Sequence, residues 1–423
     1  MISDTETTPI ASPSDFDSPR VRLYSEEFAA DPHKFYRDMR RRFGSLAPVD
    51  LAPGVPATLV IGYHAALQIL HDPERFPSDP RVWERDIPAG CPIRPMMEWR
   101  PEPIRSAGED HAGYRSAAAS ALDKVDLHRL HATIEQIAIA QINSFRADGH
   151  CDVVSQYALP VLFGTLNALL GSPEVLSQRA AIGMAAIFDT VDAEGGNRML
   201  SEALLELTRF KRINPGADVT SWLIEHPVGL DDDEMLHQLV LLYAAGIEPP
   251  LNLIVNTMLL LLTDERFAGE ILARSKSTRD ALDEVLFNDP PMSNYCISYP
   301  LEPVLLDSSW LPAHQPVVIS MAACNNDPAI RTGDVTDNRS HLAFSTGPHA
   351  CPARPIAELI VQEAIDQLLD ALPEMRLAVP PSQLQWRPGP FHRALSTLPV
   401  VFPKSTFPRS SGGTGDVTRH GSR

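Results

Sequence analysis

The sequence predicts a mainly α-helical protein with small β-sheets, built as one large domain over residues 21–403. Three observations carry that expectation. Apolar residues recur at helical spacing through most of the chain, over 35–43, 63–70, 127–148, 154–170, 173–190, 198–213 and 231–263. Runs of strand character, such as Ala57-Thr-Leu-Val-Ile-Gly62 and Pro316-Val-Val-Ile-Ser320, are few and short. No Gly/Ser linker or internal repeat divides the 423 residues, although length alone would favour two domains.

Composition narrows the function classes. With 44% hydrophobic residues the chain can bury a large core, and a net charge of −18 without any basic block argues against nucleic-acid binding. Five widely spaced cysteines (Cys91, Cys151, Cys296, Cys324, Cys351) read as neither a disulfide framework nor a zinc site, and suit a reducing cytoplasm. The N-terminus is polar and acidic, without the basic and apolar regions of a leader. No run reaches the roughly 18 apolar residues of a membrane span. The nearest, 251–262, is interrupted by Asn252 and Asn256. Residues 1–20 and 404–423, rich in Ser, Thr, Gly and Pro, read as flexible tails.

Taken in order, Phe35–Phe43 reads as a first amphipathic helix and Tyr63-His-Ala-Ala-Leu-Gln-Ile-Leu70 as a second, after the 57–62 strand. The stretch from Phe76 to Arg105 is rich in Pro, Met and aromatics and reads as an irregular loop. His111 and Arg115 lie i, i+4 on the helix that follows, so they share a face. Glu194-Gly-Gly-Asn197 reads as a break between two helices. Asp231-Asp-Asp-Glu234 opens a long helix to about Thr263, about 48 Å at 1.5 Å per residue. Within it stand Ala245-Gly246-Ile247-Glu248-Pro249-Pro250, and two prolines there remove two N–H donors and predict a kink. Near the C-terminus, Phe344-Ser-Thr-Gly347-Pro-His349-Ala-Cys351-Pro-Ala353-Arg354 presents a thiol ahead of an apolar-periodic helix, where the macrodipole favours a thiolate.

The spacing of Phe344, Gly347, His349, Cys351 and Ala353 closely resembles the haem-binding loop F-x-x-G-x-[HR]-x-C-x-[GA] of the cytochromes P450. The resemblance covers roughly residues 22–403 and is similar to the soluble bacterial, actinomycete branch. It implies the P450 fold, with Cys351 as the thiolate ligand of a haem b iron. It implies that His111 and Arg115, with His349, address the haem propionates. Residues 76–105 would roof the pocket, and Phe391–Phe402 would form the terminal hairpin dipping toward substrate. Ala245, Gly246 and Glu248 match the pattern A-G-x-[DE]-T, in which the acid and the alcohol deliver protons during catalysis.

Two departures stand out. Pro249 replaces the alcohol, leaving Glu248 as the proton-relay candidate. Phe287 stands where the family's E-x-x-R has its arginine, three residues after Glu284. The arginine-bearing loop that would complete that ion network, 326–340, lacks its usual segment, so the two losses together predict an apolar replacement. A minority of actinomycete members resemble this pattern. The function implied is a monooxygenase that hydroxylates or epoxidises a small hydrophobic molecule, with a ferredoxin and its reductase as electron donors. Peroxide use is a variant, because peroxide brings its own protons. The alternative is a catalytically weak haem protein acting as a sensor or partner.

Overall fold

The computed structural model describes residues 20–405 apart from 89, 189–192, 269–276 and 332–338. The expected tails fall almost wholly outside the described residues. The rest is mainly helical with small sheets, as the sequence predicts.

A five-stranded sheet runs in the order Val21–Arg22, Leu46–Ala52, Val55–Val60, Val317–Ser320, Asn294–Ser298. Its central pair is parallel, with Thr58 opposite Val317. The edge strand Asn294–Ser298 is antiparallel and bulged between Tyr295 and Ile297, where Cys296 takes a φ of 51°. A bulge of this kind leaves one residue unpaired and re-aims its neighbours. A second sheet joins His150–Asp152, Pro399–Val401 and Arg376–Leu377, tying the C-terminal segment to the middle of the chain.

The long helix, Asp232–Thr263, is the axis of the molecule. Asp231 caps it and forms a reciprocal capping box with Glu234, and three acids fill its first turn. Such caps contribute on the order of 1 kcal/mol. Each fully buried Leu or Ile contributes roughly 1.5–3 kcal/mol, so packing holds this helix. Its first half packs Leu239, Tyr243 and Ile247 against Leu166 and Leu204. Its second half packs Ile254, Met258 and Leu261 against Ile134, Leu282 and Val361. By length and composition this helix alone, among the described residues, could cross a membrane, but most of its apolar stretch is buried inside the fold.

The helix runs through Pro249 and Pro250 as one element. What the prolines remove is two backbone bonds, those to the carbonyls of Ala245 and Gly246 one turn earlier. The expected break at 194–197 is corrected: a helix spans Ala193–Ile213 and includes both glycines in its first turn. Gly183 of the preceding helix sits so close that a Cβ on it would lie 2.7 Å from the Gly196 carbonyl oxygen. The glycines let two helices approach.

Candidate active site

Three elements converge on Cys351. The thiol sits just before the helix Arg354–Ala371, whose N-cap is Ala353. Gly347 holds the turn ahead of it at a φ of 73°, and any Cβ there would collide with the Leu70 carbonyl oxygen. The Cys351 amide donates to the Phe344 carbonyl at 2.9 Å, closing the loop. Arg354 lies over the Phe344 ring, 5.1 Å from its centroid.

The helix Gly108–Leu122 brings His111 and Arg115 to the same place. The His111 and His349 rings stack with centroids 4.1 Å apart. Burial, then His111 and Arg115, push the His349 pKa down to about 4. His111 is lowered by burial and by Arg115. Both imidazoles are therefore neutral at physiological pH. Burial pushes the Cys351 thiol up, outweighing the Ala353 backbone N–H and the charges of Arg115 and Arg354. With no cation at the sulfur, desolvation outweighs the helix N-terminus at this thiol.

Cys351 is nonetheless exposed, while the protein mass around it desolvates its thiol. A residue with both properties lines an interior space. On the long helix, Ala244 and Ala245 are exposed while Tyr243 and Ile247 beside them are buried. Glu248 shares that face, one turn on from both alanines. Gly246 does not. A Cβ on it would meet the Leu166 side chain at 2.8 Å, so its place is the crossing with the helix Leu159–Leu169.

Glu248 is held from two directions. Its Oε1 accepts from Arg387 and, at 3.1 Å, from Asn252 one turn on, while Oε2 is buried without a protein partner. Arg387 comes from the terminal hairpin, where Trp386 pairs with Leu395. Nothing local in the sequence links positions 248 and 387.

Phe287 is buried, with its ring edge-on to His341 at 6.4 Å. The expected loss of the ion network around it is corrected in part. Arg339, from the loop ahead of the cysteine, donates to Asp283 at 3.0 Å, and Arg279 bridges Asp283 to Glu358. Arg354 completes the chain on Glu358 at 2.9 Å. Glu284 is turned away to Arg266. The network has moved one residue along the helix, from Glu284 to Asp283, and only the inner arginine is replaced by a ring.

The chain is similar to bacterial cytochromes P450. The chain is 29% identical over 391 residues to cytochrome P450 monooxygenase PikC of Streptomyces venezuelae, spanning 89% of this chain and 92% of that one. It is 28% identical over 398 residues to the vitamin D(3) 25-hydroxylase of Pseudonocardia autotrophica, spanning 90% and 96%. Among solved structures, testerone-bound CYP154C4 of Streptomyces sp. ATCC 11861 superposes with a TM-score of 0.81 at 27% identity, covering 91% and 98%. The chain is similar to bacterial cytochromes P450 over nearly its whole length, in sequence and in fold. It is an oxidoreductase of the monooxygenase kind. No protein-family model matches the chain.

The residues of this chain fit the haem that the resemblance implies. His111, Arg115 and His349 gather with no carboxylate among them, and His111 Nε2 is buried without a protein partner. Three basic side chains beside one interior space suit an anionic edge, such as a pair of propionates. Cys351 and the alanines Ala244 and Ala245 of the long helix are likewise exposed.

Proposed function

We propose that this protein binds haem b through Cys351 and inserts an oxygen atom into a small hydrophobic molecule by hydroxylation or epoxidation. The observation that carries the reading is the gathering of His111, Arg115 and His349 beside Cys351. Cys351 would ligate the iron, and the three basic groups would hold the propionates. When bound, haem supplies the oxidising centre, and a thiolate ligand favours O–O cleavage.

The chain's own residues then have separable tasks. Ala244 and Ala245 keep the interior wall small and apolar, which suits a hydrophobic substrate and excludes water. A relative named for hydroxylating vitamin D(3) supports a substrate of that character. Glu248 would relay a proton through Oε2, which has no protein partner, while Oε1 stays fixed by Arg387 and Asn252. Pro249 offers neither a hydroxyl nor an N–H. The Ala245 and Gly246 carbonyls, which lose their helical donors to the prolines, are free to accept from water. Electrons would come from a ferredoxin and its reductase in the cytoplasm, and peroxide would serve as a second oxidant because the alcohol is missing.

The test is turnover of a panel of steroid and macrolide compounds, with a surrogate ferredoxin pair and NADPH or with peroxide. An oxygenated product by mass spectrometry is the expected result. A haem-loaded protein that oxidises nothing with either oxidant would favour a sensor or partner role.

A further inference from the structure

We infer that His392 resupplies protons to Glu248, drawing them from a cavity between the terminal hairpin and the helices Glu26–Ala30 and Pro32–Phe43. The inference rests on the relay role proposed for Glu248 and extends it outward. Glu248 Oε2 is buried, so a proton it passes on has to be replaced through a neighbour. Its two hydrogen-bonded neighbours are unsuited. Arg387 keeps its protons at physiological pH, and the Asn252 amide does not titrate. His392 is the third side chain of the cluster, and imidazole exchanges protons near neutral pH.

The fold holds His392 there from several directions. Its backbone pairs with Met292, and the Arg393 amide beside it donates to the Pro291 carbonyl at 2.9 Å. Its ring lies on Gly389, where a Cβ would come within 2.5 Å of Cε1 and 3.0 Å of Nε2. Arg387, which holds Glu248, lines the same cavity as His392. Both charges reach the ring. Burial and then Arg387 lower the His392 pKa, while Glu248 and the Arg387 backbone act to raise it. The ring is therefore neutral near pH 7, and its Nε2, like Glu248 Oε2, has no hydrogen-bond partner in the protein.

The cavity has room for about one ordered water. Arg387 Nε and Arg393 Nε, on two further lining residues, are also buried without a hydrogen-bond partner, so a water there has polar groups to hold it. The other charged and titratable groups around the cavity are already committed. Arg393 meets Asp289 at 3.4 Å, and Asp289 meets His33 at 3.0 Å. Burial pushes the Tyr36 pKa up to about 12, so its hydroxyl keeps its proton and donates to Asn294. In each cycle His392 Nε2 takes one proton from cavity water. The imidazolium then returns one to Glu248 Oε2, directly or through a water, after Glu248 has given up its own. No electron moves in this exchange, and His392 acts on the reaction only through Glu248.

Two readouts test this. The first needs no substrate: the His392 ring is followed by NMR across pH in the purified protein, its signal assigned by its loss in His392→Gln. In Glu248→Gln the His392 pKa should fall by about one unit, because the carboxylate that favours the imidazolium is gone. A His392 pKa indifferent to residue 248 would overturn the inference. The second readout is turnover by each oxidant in His392→Gln, which keeps a hydrogen-bonding side chain but cannot titrate. Ferredoxin-supported turnover should fall about tenfold and peroxide-supported turnover much less. Equal losses by both routes would show a structural role and overturn the inference. A loss of ferredoxin-supported turnover in Glu248→Gln without one in His392→Gln would overturn this inference alone. A Glu248→Gln variant that loses nothing would overturn it together with the role proposed for Glu248.

Discussion

Arg387, at the foot of the terminal hairpin, donates to Glu248 in the middle of the long helix. The bond joins two elements 139 residues apart and fixes one carboxylate oxygen while leaving the other, Oε2, without a protein partner. A carboxylate so anchored keeps its orientation whatever the substrate does. Glu248→Gln removes the oxygen that can hold a proton yet preserves the side-chain volume. Ferredoxin-supported turnover should fall about a hundredfold, within the range of general acid–base catalysis. Peroxide-supported turnover should fall much less. Equal losses by both routes would show that Glu248 shapes the site and carries no proton.

Pro249 stands where the pattern A-G-x-[DE]-T has its alcohol. Pro249→Thr restores a hydroxyl and an N–H, while Pro250 still leaves the Gly246 carbonyl without its helical donor. Product formed per NADPH consumed should rise in this variant. Tight coupling in wild type, unimproved by the threonine, would mean that another group supplies the protons.

Phe287→Arg would place a guanidinium in a buried site whose acids are already engaged. Glu284 is paired with Arg266, and Asp283 with Arg279 and Arg339. The new donors would face the His341 ring and stay unsatisfied, at a cost of about 3 kcal/mol. Thermal unfolding measures this, and a melting temperature equal to or above wild type would refute the displaced network.

Glu358 links that network to the cysteine helix. Burial acts to raise its pKa, but hydrogen bonds from Arg279 and Arg354 prevail and hold it below the ordinary 4.5. A carboxyl lowered by folding contributes stability above its unfolded pKa and loses it as pH falls through the folded value. The stability difference between wild type and Glu358→Gln should therefore be constant above about pH 5 and shrink in more acidic solution. Denaturant melts across pH check it. A difference that grows on acidification would contradict the assignment.

The parts of this account visible in sequence are local ones. The cysteine loop, the His111/Arg115 pair and the acidic helix start at 231–234 are short-range patterns whose spacing states their geometry. Helix Tyr63–Leu70 emerges with the bounds its apolar spacing indicates. Contacts across the fold were not legible. Arg387 carries no mark in the sequence that assigns it to Glu248, and Arg339 sits in a loop without its usual motif, so its pairing with Asp283 went unseen. His341 precedes the motif by three residues and looks like an ordinary loop histidine until the fold sets Phe287 against it. Gly195 and Gly196 misled in the other direction. They signal a break, yet close packing against Gly183 places them inside a helix.

The most direct measurement is the absorption spectrum of the purified, haem-loaded protein, reduced and exposed to CO, beside its Cys351→Ala variant. Thiolate ligation by Cys351 predicts the long-wavelength Soret band in wild type and its absence in the variant. A wild type that takes up no haem, or a band that survives Cys351→Ala, would contradict the placement of haem between Cys351 and the long helix.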